Sequence, residues 1–368
     1  MGTRRAARSA SANVGLALED MKFSLVGLIG TVLMSTLACS SPPPSSKDAA
    51  PPSAWRVVLQ GLAPALLCVW GTSSDNVFAV GGPRGNGGAS AVLRYDGHVW
   101  KDLSGDLAPN HSETFWWAHG TSGRDLWLVG ENGRISHCDG SIFTEHASGT
   151  RATLYGVWAH APDDVWAVGG TPEGGPTQPN DVVLHFDGTG WSPSPLPQTL
   201  GRAFFKVWGT AADNIYIVGE AATIWHRSGA TWALETNPAK RTLTTVAGCG
   251  PQEVYAVGGR DVLRSDGSSW TGVDVTLDND VSGVACARPN NVVIVGSGGL
   301  KARMVDGQWH DDFGAEPYNT ELHGAWAAPD GAYWAVGGDY ITAPSPGAAR
   351  LGAVGYYGPL VPSGQFAP

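Results

Sequence analysis

The chain has 368 residues and a formal net charge of -10, and only 15% of its residues are charged. A chain of this length can bury a sizeable core as one large all-β domain or as two ordinary domains. Its 51 glycines and 16 tryptophans are typical of an ordered protein that is rich in turns and aromatic packing. The acidic balance argues against a nucleic-acid partner, because non-specific affinity for phosphate comes mostly from Lys and Arg.

Residues 1–38 are predicted to be a lipoprotein-type signal region. The string "KFSLVGLIGTVLMSTLAC", residues 22–39, places one Lys before an apolar core of signal-peptide length, which is too short to span a bilayer. It resembles a bacterial lipoprotein signal, in which Cys39 would be the lipid attachment site. Glu19 and Asp20 do not suit the start of a signal, so translation from Met21 and from Met1 both stay open. The signal predicts a bacterial cell-envelope location, with the outer membrane or cell surface favoured over the inner membrane.

Residues 39–53 are rich in Pro and Ser and are predicted to be a stiff, unpacked tether. Export would place the following residues in an oxidising compartment, where disulfides form. Four cysteines remain after the lipidated one, without CxxC or zinc-finger spacing: Cys68, Cys138, Cys249 and Cys286. They allow three pairings, and buried small hydrophobic side chains are the alternative interpretation.

A repeated phrase dominates the rest of the chain. "VWGTSSDNVFAVGG", residues 69–82, has close counterparts from Val157, Val207 and Ala325. Seven copies are predicted, with first strands that end at Trp70, Trp117, Trp158, Trp208, Ala247, Ala285 and Trp326. Steps of 38 to 50 residues between these ends match four-stranded propeller blades and exceed leucine-rich or ankyrin repeats.

Each copy divides into four short segments that favour strand, because apolar residues alternate and β-branched or aromatic residues are frequent. A polar turn such as "TSSDN" joins the first two strands. A tight hairpin, as at Asp96-Gly97 and Asp266-Gly267, joins the last two. The sequence therefore predicts an all-β, seven-bladed β-propeller over residues 54–360, with four antiparallel strands in each blade and a C-terminal tail at 361–368.

The seventh copy is incomplete at the C-terminal end, because "PLVPSGQFAP" lacks the Trp and carries too many prolines for a central strand. The N-terminal string "SAWRVVL", residues 53–59, supplies the missing pattern, with Trp55 in the place of Trp100. We expect the last blade to be closed by this N-terminal strand, because closure removes the free edges of an open array.

The motifs V-W-G, D-V-W-A-V-G and D-G-x-x-W resemble those of bacterial β-propellers in the sialidase-like, Kelch-like and photosystem-assembly-factor-like groups. More closely, they resemble the repeats of bacterial surface lipoproteins, most of which have no assigned function. The resemblance covers Trp55 to about Gly358 and implies a propeller fold. It implies little about activity, because propellers serve as lectins, hydrolases and scaffolds alike. The Asp-box of sialidases is not matched, since Asp and Gly are adjacent here.

The connections between strands differ on the two faces of the predicted ring. Short, uniform turns lie on one face, and the second-to-third loops share the other face with the inter-blade connections. Three of these loops are long: residues 82–90, 170–181 and 338–352. Variable loops on a rigid frame commonly carry binding sites, so we expect a ligand or partner on this face. Insertions without a function are the alternative.

Two irregularities have competing interpretations. Ala247 and Ala285 replace the recurring Trp in copies that also contain Cys249 and Cys286, which favours a disulfide between adjacent inner strands over buried thiols. Three carboxylates, Asp274, Asp278 and Asp280, share one connection, and such clusters can hold Ca²⁺. They lack EF-hand spacing, so a solvated acidic loop is favoured.

The sequence contains no HExxH motif, no G-x-S-x-G elbow and no phosphate-binding glycine loop. No catalytic, cofactor-binding or metal-binding residue is therefore predicted, and no cofactor. His119 and His160 follow the recurring Trp and are interpreted as turn residues.

Together these features favour an envelope-anchored, monomeric binding or scaffold propeller without chemistry of its own. Its partner would be an envelope protein or a glycan, and it would bind no nucleic acid. Two alternatives stay open. A lectin-like carbohydrate binder would stack Trp and Tyr rings on sugars. A polysaccharide-directed glycoside hydrolase or lyase would need paired carboxylates near the channel mouth, about 5–10 Å apart.

Overall fold

The computed structural model describes residues 52–62, 64–84, 88–107, 112–174, 179–340, 350–360 and 362–367. Residues 1–51, which include the predicted signal region, Cys39 and most of the tether, lie outside the described residues. Over the described residues the chain forms the predicted seven-bladed β-propeller, with seven separate four-stranded antiparallel sheets. None of the helices in this part of the chain is long and apolar enough to cross a membrane.

The strands follow one another from the inner to the outer edge of each blade. After β1 (Ala54–Leu62), blade 1 contains β2 (Leu66–Ser73), β3 (Asn76–Pro83), β4 (Ser90–Tyr95) and β5 (Trp100–Asp102). Blade 2 contains β6 (Phe115–Ser122), β7 (Asp125–Gly130), β8 (Ile135–Cys138) and β9 (Phe143–His146). Blade 3 contains β10 (Thr153–Ala161), β11 (Asp164–Gly170), β12 (Val182–Phe186) and β13 (Trp191–Pro193).

The remaining blades repeat this order. Blade 4 contains β14 (Phe204–Ala211), β15 (Asn214–Gly219), β16 (Thr223–Ser228) and β17 (Thr231–Leu234). Blade 5 contains β18 (Thr245–Gly250), β19 (Glu253–Gly258), β20 (Asp261–Ser265) and β21 (Trp270–Gly272). Blade 6 contains β22 (Val281–Arg288), β23 (Asn291–Gly296), β24 (Lys301–Val305) and β25 (Gln308–Asp311). Blade 7 contains β26 (Leu322–Ala327), β27 (Tyr333–Gly338) and β28 (Gly352–Gly358), followed by β1. Short 3-10 helices lie at Ser104–Asp106, Glu131–Gly133 and Ser297–Gly299.

The predicted closure of the last blade is confirmed. β1 pairs antiparallel with β28 and places Trp55 opposite Tyr357, as Trp100 lies opposite Tyr95 in blade 1. Trp55 is buried, and its indole N–H donates a hydrogen bond of 2.8 Å to Asp312 of blade 6. The N-terminal strand therefore fills the outer edge of blade 7.

The C-terminal residues form a second link across the same junction. After β28 the chain reaches the outer strand of blade 1, where the Trp100 N–H donates to the Gln365 carbonyl and the Ala367 N–H donates to the Trp100 carbonyl, both at 2.8 Å. The Trp100 indole N–H donates to the Ser363 carbonyl at 3.1 Å. The tail thus lies against blade 1, and both chain ends hold the place where the ring closes.

Adjacent blades are joined by aromatic pairs that recur around the ring. An aromatic residue on the fourth strand of one blade packs against an aromatic residue on the second strand of the preceding blade. The ring centroids are 5.4 Å apart for Trp191 and Trp127, 5.8 Å for Trp232 and Trp166, 5.8 Å for Trp270 and Tyr216, and 6.0 Å for Trp100 and Trp334. This packing gives a physical reason for the repeated "D-G-x-x-W" and "V-W-A-V-G" strings, because each aromatic residue buries its face on the next sheet.

The Gly of the "V-W-G" motif makes room for the inner Trp of the preceding blade. A Cβ atom at Gly71 would lie 2.9 Å from the Trp326 ring, and one at Gly209 would lie 2.8 Å from the Trp158 ring. A side chain at either position would displace the ring. The motif therefore encodes the packing of two neighbouring inner strands.

In blade 2 the sequence alignment was wrong by two residues. His119, not Trp117, pairs with Trp127, and this is the position that Trp70 occupies opposite Phe78 in blade 1. His119 is therefore an inner-strand residue and not the turn residue that the sequence suggested. Its Nδ1 accepts a hydrogen bond of 3.1 Å from the Ala159 N–H of blade 3. Burial lowers the pKa of His119 to about 4, so the ring is a neutral link between blades.

Blades 5 and 6 lack the inner Trp and are joined differently. In blade 6, Cys286 lies opposite Val292, the register position of Gly71 in blade 1, so no Gly gap is left for a ring. Cys286 forms a disulfide with Cys249 of blade 5, and their Cα atoms are 5.4 Å apart. Cys68 and Cys138 are free and buried. The covalent link thus stands at the register position where Trp326 packs on Gly71 and Trp158 packs on Gly209 at other junctions.

We expect the link between Cys249 and Cys286 to stabilise the oxidised protein by about 2–4 kcal/mol, because it closes a loop of 37 residues in the unfolded chain. Reductant should lower the unfolding temperature of the wild-type protein and leave that of a Cys249→Ser, Cys286→Ser double variant unchanged. Peptide mapping without reductant would identify the bridged peptides. Equal sensitivity of both proteins to reductant, or mapping that finds both thiols free, would contradict the link.

Candidate binding site at the channel mouth

A β-bulge lies at the same place in the inner strands of the propeller. In blade 1, Leu66 pairs with Gly81 and Cys68 with Val80, so Leu67 is an extra residue without a partner. The same one-residue shift occurs in blades 2, 3, 4, 6 and 7. In blade 5, Thr244 precedes the strand and its N–H donates to Val257. We call these residues the mouth ring: Leu67, Trp116, Tyr155, Phe205, Thr244, Ser282 and His323. Bulges redirect a side chain out of the regular alternation of a strand.

Every mouth-ring residue except Leu67 lines a cavity of about 250 Å³ at one end of the central channel. Four of its aromatic rings contact one another in an arc across blades 4, 3, 2 and 7. The centroids are 5.2 Å apart for Phe205 and Tyr155, 4.9 Å for Tyr155 and Trp116, and 5.8 Å for Trp116 and His323. On the opposite side, Thr244 and Ser282 present small side chains. The cavity is therefore an aromatic cleft with one polar wall.

Two of the three long loops reach this cavity. Pro172, from the loop at 170–181, and Tyr340, from the loop at 338–352, both line it. The Tyr340 ring lies 5.1 Å from the His323 ring, and the Tyr340 hydroxyl donates to the Leu322 carbonyl at 3.4 Å. The described residues of the loop at 82–90 lie elsewhere, and Arg84 of that loop forms an ion pair with Asp102 on its own blade.

Lys206 lies directly after the mouth ring in blade 4 and is 3% exposed. Its ammonium nitrogen donates a hydrogen bond of 3.1 Å to the Tyr155 carbonyl and lies 4.1 Å from the centre of the Trp117 ring. Gly156 of the intervening blade leaves room for this approach, because a Cβ there would lie 2.8 Å from the Lys206 Cα. Among the described residues, no carboxylate forms an ion pair with Lys206.

Burial governs the charges around Lys206. Removal from water lowers the pKa of the Lys206 ammonium to about 7. The same effect lowers the pKa of His323 to about 3, and the Leu67 carbonyl lies 2.5 Å from its Nδ1. Burial raises the pKa values of Tyr340 and of the Cys68 thiol to about 12. At neutral pH, Lys206 is therefore the titrating group of the site, and its neighbours are uncharged.

A second chamber of about 190 Å³ lies deeper in the channel, below Lys206. Inner-strand residues of all seven blades line it, including Trp70, Trp158, Trp208 and Trp326. None of the described residues that line either chamber is Asp or Glu. The carboxylate pair that a glycoside hydrolase would need is therefore not assembled from the described residues at the channel mouth.

Two His–Asp pairs resemble catalytic dyads, but each pair belongs to the packing of its own blade. His137 pairs with Asp125 at 2.7 Å and His185 pairs with Asp164 at 2.8 Å. Each imidazole stacks on the aromatic residue of its own second strand, at 4.2 Å for Trp127 and 4.3 Å for Trp166. Arg94 and His226 make equivalent contacts in blades 1 and 4. Because the same contact recurs in blades 1 to 4, we interpret it as a stabilising contact of the fold.

The acidic connection at 274–280 forms ion pairs on the surface. Asp280 pairs with Arg260 at 3.2 Å, and Arg260 also donates to the Asp278 carbonyl. Across the residues that the structure describes, no three His, Cys, Asp or Glu side chains converge in a metal-binding arrangement. The predicted lipid site, Cys39, lies outside these residues.

No protein-family model and no curated protein sequence matches the chain. Many solved structures do, and β-propellers are among them. YCF48 bound to a D1 peptide is similar with a TM-score of 0.62 and 14% identity, over 84% of this chain and 99% of that one. Virginiamycin B lyase from Staphylococcus aureus is similar with a TM-score of 0.58 and 10% identity, over 82% of this chain and 99% of that one. The WD40 repeats of RRP9 are similar with a TM-score of 0.61 and 12% identity, over 84% of this chain and 98% of that one.

These likenesses establish the β-propeller and repeat part of the predicted resemblance. At such low identity a structural match shows the fold alone. The closer resemblance to bacterial surface lipoproteins, and to sialidase-like or Kelch-like repeats, stays a prediction.

Two of the three long loops that the sequence singles out lie at this cavity, but the sequence did not point to the mouth-ring residues that build it. The available signal was the residue three positions before each inner Trp, as in "LLCVW" and "FFKVW". Because the side chain there varies from blade to blade, it does not stand out as part of the repeat.

We expect the stability of the protein to reveal the unusual pKa of Lys206. Between pH 7 and about 10, the unfolded chain keeps a proton on this Lys that the folded protein has lost. The free energy of unfolding therefore rises with pH in this range, by at most roughly 1.4 kcal/mol per pH unit. A Lys206→Met variant lacks this rise. Urea unfolding of both proteins at pH 6 and pH 9 measures it, and the wild-type protein should gain relative to the variant. Parallel pH profiles would contradict the assignment.

Proposed function

We propose that this protein is a non-catalytic binding or scaffold propeller that holds a protein partner at the mouth ring. The observation that carries this proposal is the aromatic cleft, which is built from bulge residues of successive blades and from Pro172 and Tyr340 of two long loops. Aromatic clefts with a few polar groups are typical binding sites, and Trp and Tyr are frequent at the energetic centres of interfaces. A similar propeller, YCF48, has been solved with a bound peptide, which is consistent with a protein partner here.

The test is capture of partners from solubilised envelope membranes. A Trp116→Ala, Tyr340→Ala double variant removes two rings from the cleft and should lose a stoichiometric partner that the wild-type protein retains. Ile142→Ala is the matched control, because Ile142 is 63% exposed in a third-to-fourth turn on the opposite face. Retention of the same partner by the double variant, or its loss from the control, would place the binding surface elsewhere.

We further propose that the propeller is tethered to the bacterial envelope through lipidated Cys39. The support is the signal-like string that ends at this residue and the Pro/Ser-rich segment after it. A Cys39→Ala variant, expressed with its natural leader, should move from the membrane fraction to the soluble fraction. If the variant stayed in the membrane fraction and the wild-type protein carried no lipid by mass spectrometry, anchoring through Cys39 would be excluded.

A glycan is the second candidate ligand, because the partly buried rings of Trp116, Tyr155 and Tyr340 line the cleft and aromatic rings can stack on sugars. A glycan array with the wild-type protein and the double variant separates the two candidates. Saturable binding of one glycan class, lost in the double variant, would favour the lectin-like function over the protein scaffold.

A further inference from the structure

Lys206 gives the mouth cavity a polar group that the protein does not fully satisfy. Lys206 is buried with one hydrogen bond, although an ammonium group can donate three. Buried donors without acceptors are costly, so this arrangement favours a ligand that supplies acceptors and negative charge.

The carboxylates nearest to the mouth are already engaged by backbone groups. Glu131 accepts the Thr114 N–H at 2.9 Å, Glu220 accepts the Ala203 N–H at 2.7 Å, and Glu321 accepts the Gly298 N–H at 3.3 Å. None of them lines the cavity that Lys206 enters. The positive charge of Lys206 is thus left to an external partner.

Lys301 is the other buried Lys among the described residues, and its surroundings differ. Lys301 is fully buried in blade 6, and its ammonium nitrogen donates to the Gly299 carbonyl at 2.6 Å and to the Pro317 carbonyl at 3.1 Å. Lys301 also lies away from both chambers. The two lysines therefore differ in role: the structure satisfies Lys301 internally and presents Lys206 to the cavity.

We propose that the mouth cavity binds an apolar or aromatic group that carries a carboxylate, with the carboxylate on the Lys206 ammonium. This inference rests on the proposed function, because it uses the same cleft. The aromatic arc packs against the apolar group, and the charge-assisted hydrogen bond to Lys206 selects the acid. A peptide C-terminus with a large last residue and a small aromatic acid share this chemistry.

The experiment uses two pairs of probes with the intact propeller. One pair is 3-phenylpropionate and 3-phenylpropionamide, and the other is N-acetyl-Gly-Gly-Phe with a free or an amidated C-terminus. Calorimetric titration should show that each acid binds about 10- to 100-fold more tightly than its amide, the range expected for a hydrogen bond to a charged group. Tighter binding of the peptide acid than of the small acid would identify a protein C-terminus as the source, and the reverse would identify a free acid.

Lys206→Met should remove the preference for the acid while weak binding of both ring-bearing probes remains. Lys301→Met is the matched control, since it also replaces a buried Lys and should keep the preference. If Lys206→Met failed to fold, the pH dependence of the wild-type protein would serve instead. Affinity for the acid should be constant from pH 5.5 to 7 and fall up to tenfold per unit above it, because the carboxylate requires protonated Lys206.

The other titratable groups that face Lys206 do not change their protonation in the pH range of this experiment. His323 and His119 lose their protons well below it, and Cys68, Tyr155 and Tyr340 lose theirs well above it. Equal affinity for acid and amide, an unchanged preference in Lys206→Met, or no binding of either acid at millimolar concentration would overturn the proposal. The proposed function would survive such a result if the Trp116→Ala, Tyr340→Ala variant still lost the captured partner.

Discussion

Aromatic packing between neighbouring blades is the interaction on which the rest of this structure depends. A four-stranded sheet of this size exposes two apolar faces, and neither can be covered within the sheet. The fourth-strand Trp of one blade covers the second-strand aromatic residue of the blade before it, as in the pair of Trp191 and Trp127. Because every blade needs a neighbour on both sides, the array must close. At the closing junction the pair is Trp100 and Trp334, and both ends of the chain are used to hold it.

The same constraint separates the residues that hold the fold from those free to form a site. Where an inner Trp packs on a Gly, both positions are constrained, because Gly71 and Gly209 leave no room for a side chain beside the ring of the preceding blade. Three residues earlier, the bulge removes one residue from the ladder and turns it toward the channel. That residue takes no part in the packing of inner Trp on Gly, so each blade can carry a different one. The mouth ring is thus a variable surface on a repetitive frame, and its chemistry can change without loss of the fold.

This separation explains what the sequence could and could not predict. The strand order, the hairpins and the closure through Trp55 follow from residues that repeat, so all three were predictable. Blade 2 was misaligned because "FWWAHG" offers two Trp residues, and the His that takes the Trp position could be recognised only from its pairing with Trp127. The site itself was missed because a bulge has no sequence signature here. Lys206, in "FFKVWG", resembles an ordinary charged strand residue until the channel is closed around it.

Blades 5 and 6 depart from the repeat together, at the inner Trp position and at the mouth, and the two departures have a common physical reason. Blades 5 and 6 have Ala247 and Ala285 in place of the inner Trp, and the disulfide of Cys249 and Cys286 joins their inner strands. At the mouth the same two blades carry Thr244 and Ser282, and the Thr244 hydroxyl donates to the Ser282 carbonyl at 2.9 Å. Small side chains open the cleft on this side, opposite the aromatic arc. They also remove the packing that would hold the junction, so a covalent bond and backbone-directed hydrogen bonds replace it. An open cleft in a closed ring therefore requires a junction that does not depend on bulky side chains.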